Sequence, residues 1–159
     1  MLFRQFMEVW GLKSLKISLG FLDAEFSPQD VDRAAAWDLY VELLTRVTTQ
    51  HLQPDHGDEA TALASVYAIF PLTREIMKKH GSGAGAFARL AVPVLNQIVR
   101  PFTAKWHRLS LAKCFEVPAQ CEQFRRELAG LQQQLRNYTR ALAAMAAVED
   151  LTGLEADAP

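Results

Sequence analysis

The sequence predicts an all-α protein, an antiparallel bundle of four to six helices with an extended N-terminal arm. The main evidence is an apolar repeat near the end of the chain whose steps alternate between four and three residues, the spacing that keeps one seam of a helix against other helices. Its members are Phe124, Leu128, Leu131, Leu135, Tyr138, Leu142 and Met145. Other apolar stripes of helical period precede it, joined by short polar loops. Long helices with short connections indicate antiparallel neighbours in a bundle.

The chain divides by pattern into three parts. We expect a short helix and an extended arm over residues 1–26, a helical bundle over residues 27–149, and a flexible acidic tail over residues 150–159. The apolar residues of the short helix, which have helical spacing, are Phe3, Phe6, Met7 and Trp10.

Residues 15–21 alternate between apolar and polar side chains, as in a strand. No second segment pairs convincingly with this strand, and residues 114–117 are the only short candidate. Because a lone strand has unpaired backbone groups, we expect it to lie against the bundle or to pair with its copy in a dimer.

The first long helix is expected to start at Ser27, as its cap, and Pro28, and to run to about Gln50. Its expected buried stripe is Trp37, Tyr40, Leu44 and Val47. A second helix is expected from about Asp58 to Gly81, with Leu63, Val66, Tyr67, Phe70 and Met77 facing inward.

Proline is expected to distort two of the helices, because it lacks a backbone N–H and crowds the preceding turn. Pro71 predicts a kink in the second helix. The third helix begins near Ala86, contains Pro93, and is expected to break at Arg100 and Pro101. The last helix is predicted to open at Pro118 and to end near Val148.

The charges are unevenly distributed along the chain. Residues 1–73 contain 5 Lys and Arg against 10 Asp and Glu, whereas residues 74–145 contain 12 against 4. Such asymmetry favours an anionic partner, or two surfaces that attract each other within a dimer. The candidate partner-binding residues are Arg100, Lys105, Trp106, Arg108, Arg125, Arg136 and Arg140. Among the aromatic residues here, Phe102 and Trp106 either stack on nucleic-acid bases or anchor the core.

Several function classes have no support in the sequence. There is no phosphate-binding Gly-rich loop, no Gly-x-Ser-x-Gly elbow and no zinc-finger spacing, so we expect no cofactor. A loop with His51, His56 and Asp58 is a weak candidate metal site, but its spacing matches no common one, so no metal is expected either. The apolar stretches are too short to cross a bilayer, and the sequence shows no signal peptide. The two cysteines do not form a CxxC pair. These observations predict a cytoplasmic protein that does not bind membranes.

Arg100 and His107 are separated by six residues. This arrangement resembles the motif of the HEPN helical ribonucleases, small bundles that cut RNA at a dimer interface. The resemblance covers eight residues and implies metal-independent RNA cleavage, with Arg100 and His107 meeting across a dimer. Pairs with similar spacing also occur at Arg46 and His51 and at Arg74 and His80, and a proline follows Arg100 where the family often has a polar residue.

The sequence therefore predicts a non-enzymatic helical interaction or regulatory module, a small subunit of a bacterial multi-protein system. We expect it to bind a protein partner and to form a homodimer. The alternative is an RNA-binding protein, or a HEPN-like ribonuclease that uses Arg100 and His107 as its catalytic pair.

Overall fold

A computed structural model describes residues 14–55 and 57–155 of the chain. Within these ranges, two short strands precede six α-helical segments. The strands are β1 (Leu15–Ser18) and β2 (Asp23–Phe26), and the helices are α1 (Asp30–Leu44), α2 (Glu59–Tyr67), α3 (Ile69–His80), α4 (Gly85–Val94), α5 (Arg100–Leu111) and α6 (Pro118–Ala146). The predicted all-α bundle is confirmed. The predicted helix over residues 2–10 lies outside the described residues.

The apolar seam of α6 forms the centre of the bundle. All seven of its members are buried inside the single chain. The most extensive helix–helix interface is the one between α6 and α1. Alanines of α6 such as Ala143, which is 1% exposed, allow the neighbouring backbone to approach closely. The seam is therefore fully used by the chain itself.

Helix α1 starts two residues later than Ser27 and Pro28 predict. Its cap is Gln29, and the Asp32 carboxylate accepts a hydrogen bond from the Gln29 backbone N–H at 2.8 Å. The same carboxylate accepts the Phe87 backbone N–H of α4 at 3.0 Å. Asp32 is fully buried, so one side chain satisfies N–H groups at the start of two helices, which otherwise have no intrahelical partner.

Helix α1 also ends earlier than expected, at Leu44 instead of Gln50. Residues 45–50 form turns that α6 holds in place, because the Gln132 side-chain amide donates to the carbonyl oxygens of Val47 at 2.6 Å and Gln50 at 2.8 Å. Gln132 is itself buried, so both donors are matched where water is excluded.

The buried face of α1 is not the predicted stripe. Its buried residues are Asp32, Ala35, Ala36, Leu39, Tyr40 and Leu43. Trp37 is 47% exposed, and Leu44 and Val47 are only partly buried, so Tyr40 alone of the predicted stripe is fully buried. In α2, Tyr67 is likewise exposed instead of facing inward.

Proline distorts the two helices in different ways. Pro71 has no N–H for the Tyr67 carbonyl, and the helix is interrupted at Ala68, between α2 and α3. Pro93 lies inside α4, and a π-helical turn follows at Leu95–Val99. The Arg100 N–H bonds to the Leu95 carbonyl, five residues back, so helical hydrogen bonding continues into α5. The predicted break at Arg100 and Pro101 is wrong.

The strand of the N-terminal arm has a partner within the chain. β1 and β2 pair antiparallel with Leu15 opposite Phe26, and the buried side chains Ile17 and Phe26 attach the hairpin to the core. The expected lone strand is thus wrong, and the candidate partner segment at 114–117 is instead a 3₁₀ turn over Cys114–Glu116.

The part of the acidic tail that the structure describes is held against the bundle. The Leu151 N–H donates to the Tyr40 hydroxyl of α1 at 2.7 Å. Thr152 is buried, and the Asp150 carboxylate accepts its backbone N–H at 2.9 Å. A 3₁₀ turn follows at Thr152–Glu155. Residues 150–152 therefore contact the bundle, whereas Leu154 is 77% exposed.

Candidate protein-interaction site

The predicted basic contact region is largely engaged with its own chain. Lys105 Nζ lies 2.5 Å from Glu127 Oε1, and Trp106 Nε1 donates to Glu127 Oε2 at 2.9 Å. Partial burial by itself raises the pKa of the Glu127 carboxyl, but the hydrogen bonds from Lys105, Gln123 and Trp106 outweigh it, and the pKa lies below its ordinary value. Glu127 therefore stays ionised and fixes α5 to α6.

Trp106 is part of the core. Its side chain is fully buried, stacked on Phe115 with ring centroids 6.1 Å apart and edge-on to Phe124 at 5.1 Å. Phe102 is also buried, 5.4 Å from Phe124. The ring of Trp106 is thus not accessible to a partner, and the interpretation of both rings as core anchors agrees with the structure.

Three arginines of α6 hold loops of the same chain. Arg125 Nε lies 2.8 Å from Glu59 Oε1, and its other nitrogens donate to the carbonyls of Gln53 and Gly57. Arg136 Nη1 donates to the Thr49 carbonyl at 3.3 Å. Arg140 bonds to Asn137 and lies 3.8 Å from the Asp150 carboxylate. These three residues stabilise the 45–58 connection and the tail, so the basic region is not a uniform cationic surface.

Arg100 and His107 each contact one ring of an adjacent aromatic pair, of which only Tyr67 is exposed. Arg100 lies over the Phe70 ring at 4.8 Å, and the His107 ring meets Tyr67 edge-on at 5.2 Å. The Tyr67 and Phe70 rings are 5.5 Å apart, and Tyr67 is 46% exposed. We call these four residues the Tyr67 surface. Arg108 is exposed nearby along α5.

The weak candidate metal site is only partly described. His56 lies outside the described residues. Both carboxylate oxygens of Asp58 bond to Thr61, as the cap of α2, and these bonds lower the pKa of Asp58. Among the residues that the structure describes, no group of three His, Cys, Asp or Glu side chains is arranged to hold a metal ion.

The two cysteines are not activated as nucleophiles. Burial raises the pKa of both thiols, and the Cys121 thiol donates to the Phe115 carbonyl at 3.2 Å. Because the thiolate is the reactive form, both remain weakly reactive at neutral pH.

A groove of about 490 Å³ lies between α1 and α3 on the surface. We call it the α1–α3 groove; its lining residues are Trp37, Asp38, Val41, Glu42, Leu72, Glu75, Ile76 and Lys79. The apolar lining comes from both helices, and Trp37 and Val41 are each nearly half exposed. Exposed apolar side chains that share one concave surface are typical of protein contact sites.

Three carboxylates border the groove. Asp38 Oδ2 lies 2.7 Å from His80 Nε2 and 2.9 Å from Lys79 Nζ, which ties α1 to the end of α3. Burial opposes ionisation of Asp38, but these two partners outweigh it and lower the pKa of the carboxyl. Glu42 pairs with Arg46 at 3.0 Å, as the i,i+4 spacing predicts, while Glu75 is exposed.

The chain matches no protein-family profile, no curated protein and no solved structure. Among the described residues, no helix combines the length and apolar character needed to cross a bilayer. The functional assignment therefore depends on the surface features of this chain.

Sequence reasoning missed the α1–α3 groove because it placed Trp37 in the core. The sequence of α1 nevertheless contains a signal for a second apolar face. The small residues Ala35 and Ala36 together with Leu39 and Leu43 give α1 an apolar face on the side away from Trp37. Two competing apolar stripes on one helix indicate a second contact surface.

Proposed function

We propose that this protein is a non-enzymatic interaction module that binds a partner protein in the α1–α3 groove, as a subunit of a larger assembly. The observation that carries the proposal is the pair of half-exposed side chains Trp37 and Val41, one helical turn apart, above an apolar floor from α3. Tryptophan is among the residues that contribute most to binding energy when a partner buries them.

The wider architecture supports a binding role. Most candidate basic residues are paired inside the chain, and burial keeps both thiols protonated. The groove is a concave surface on α1 and α3, with apolar side chains from both helices and charged side chains along its border. A site built on rigid helices requires little ordering when it binds, which favours affinity.

The test is site-specific photo-crosslinking in the cells that naturally produce the protein. A benzoylphenylalanine at position 41 should form a discrete adduct with another protein. The same group at position 111, where Leu111 is 88% exposed on α5, is the matched control and should not form that adduct. Adducts from position 41 that are absent, or that contain only a second copy of this chain, would contradict the proposal.

A second candidate function, RNA binding or HEPN-like cleavage, has support from the Tyr67 surface. His107 meets the exposed Tyr67 ring, on which a base could stack, and Arg100 lies over the adjacent Phe70 ring, from which it could contact a phosphate. Cleavage of structured RNA that is lost in His107→Ala would favour the ribonuclease. Salt-sensitive RNA retention weakened by Arg100→Ala, without cleavage, would favour a binding protein.

A further inference from the structure

We infer that the occupant of the α1–α3 groove is a cationic amphipathic helix of a partner protein. This inference rests on the proposed function and adds the chemistry of the partner: an apolar stripe that covers Trp37 and Val41, bordered by Lys or Arg that face Glu75 and Glu42. Apolar spacing and charge are the two features that lead to it.

The apolar residues of the groove have the spacing that a helix recognises. Trp37 and Val41 are four residues apart on α1, and Leu72 and Ile76 are four apart on α3. Four residues correspond to an axial rise of about 6 Å, close to one turn of a helix. A partner helix that lies along the groove thus meets successive apolar positions with side chains at i, i+3 or i+4, and i+7.

The charge on the border of the groove is net negative. The lining carries three carboxylates, Asp38, Glu42 and Glu75, and one ammonium group, that of Lys79. Lys79 is already paired with Asp38, and Glu42 is paired with Arg46 from outside the lining. Glu75 has no ion-pair partner among the described residues. An incoming cation opposite Glu75 therefore gains an attraction without displacing an existing pair.

The same charges disfavour the other occupants. A phosphate backbone would be repelled by Glu75, the carboxylate of the lining that no cation of the described residues neutralises. A second copy bound through the same groove by a twofold axis would bring each Glu75 near the acidic border of the other copy, because such an interface uses the same residues on both sides. A helix with lysine or arginine beside its apolar stripe can pack its apolar side chains on the floor of the groove and pair its cations with the acidic border.

The experiment measures fluorescence anisotropy of a labelled helical peptide with leucines at i, i+3, i+4 and i+7 and lysines beside them, in buffer of about 0.15 M salt so that distant charges are screened. We expect wild-type protein to bind it. Trp37→Ala should weaken binding about 30-fold, as loss of a central aromatic anchor does. Glu75→Lys should weaken it about tenfold, since it replaces an attraction with a repulsion.

The matched control is Glu116→Lys, an equal charge change at an exposed position in the turn before α6. It should leave the affinity unchanged. A peptide with glutamates in place of the lysines should bind wild type at least tenfold more weakly and bind Glu75→Lys better than wild type. Equal effects of Glu75→Lys and Glu116→Lys, or equal binding of both peptides, would overturn the inference.

Failure of this inference and failure of the proposed function give different results. If position 41 crosslinks to a protein whose contacting segment is acidic or not helical, the interaction module stands and the cationic helix is wrong. If sedimentation shows self-association that Trp37→Ala abolishes, the occupant is a second copy, and both proposals are wrong.

Discussion

Asp32 offers the sharpest test of how the bundle is assembled. Its carboxylate accepts backbone N–H groups from Gln29 at 2.8 Å and from Phe87 at 3.0 Å, and it is 1% exposed. The substitution Asp32→Ala removes both acceptors and leaves the N–H of the fully buried Phe87 without a partner.

The expected loss follows from these two contacts. An unpaired buried donor costs about 1–3 kcal/mol. Loss of the carboxylate from the first turn of α1 costs about 0.5–2 kcal/mol. Together these losses predict that Asp32→Ala lowers the free energy of unfolding by about 2–4 kcal/mol. Asp32→Asn keeps one acceptor oxygen, and its loss should be smaller.

The assay is urea-induced unfolding followed by circular dichroism, with Asp30→Ala as the matched control. Asp30 is two residues earlier on α1, its side chain is 98% exposed, and its one ion pair with a described residue is with Arg33. Removing such a surface pair should cost at most about 1 kcal/mol. Equal destabilisation by Asp32→Ala and Asp30→Ala would refute the role of Asp32 as a cap shared by two helices.

Three further substitutions test the core and its polar contacts. Leu135→Ala in the α6 seam should destabilise the protein by about 2–5 kcal/mol in urea, whereas Leu111→Ala at the surface should change little. Glu127→Gln should reduce the loss of stability at acidic pH. The pKa of Glu127 is lowered in the folded protein, so its ionised form stabilises the fold above the ordinary pKa of 4.5, and this stability is lost as the pH falls through the pKa of the folded state. An unchanged decline in stability below pH 4.5 would contradict this. Tyr138→Phe should leave the melting temperature unchanged or higher, because none of the residues that the structure describes forms a hydrogen bond with its buried hydroxyl. A clear fall in melting temperature would indicate a partner, such as water.

The parts of the fold that the sequence predicts well are those with one dominant signal. In the 29-residue helix α6 a single apolar stripe runs from Phe124 to Met145, and no other stripe competes with it. In α1 the large ring of Trp37 suggested the wrong face, because small alanines at positions 35 and 36 make the close contacts of the core. Side-chain size alone does not identify a buried face when a neighbouring helix packs closely.

The hairpin was missed because its second strand is short and weakly apolar. Asp23, Ala24, Glu25 and Phe26 alternate between polar and apolar over only four residues, and only Phe26 of β2 is buried. The strand pairs through its backbone, and backbone pairing leaves little trace in side-chain composition. The local sequence signal for the hairpin was Gly20, which adopts a positive φ of 83° in the turn between the two strands.

The candidate site was less predictable than the fold. Residues 37–42 and 72–79 come together only through the packing of α1 on α3, so no single stretch of sequence identifies the groove. The charge count did indicate the basic region, but it could not show that Glu127 and Glu59 neutralise Lys105 and Arg125. The partners of a charge depend on tertiary contacts.

The contact between α1 and α6 has a consequence for biosynthesis. Gln132 bonds to a carbonyl 85 residues earlier in the chain, and Leu151 bonds to Tyr40 across 111 residues. While the chain is being made, the part of α1 that packs on α6 therefore has no lasting cover until α6 has left the ribosome. A nascent chain that stalls before Pro118 exposes this apolar surface, and we expect chaperones to bind such a chain.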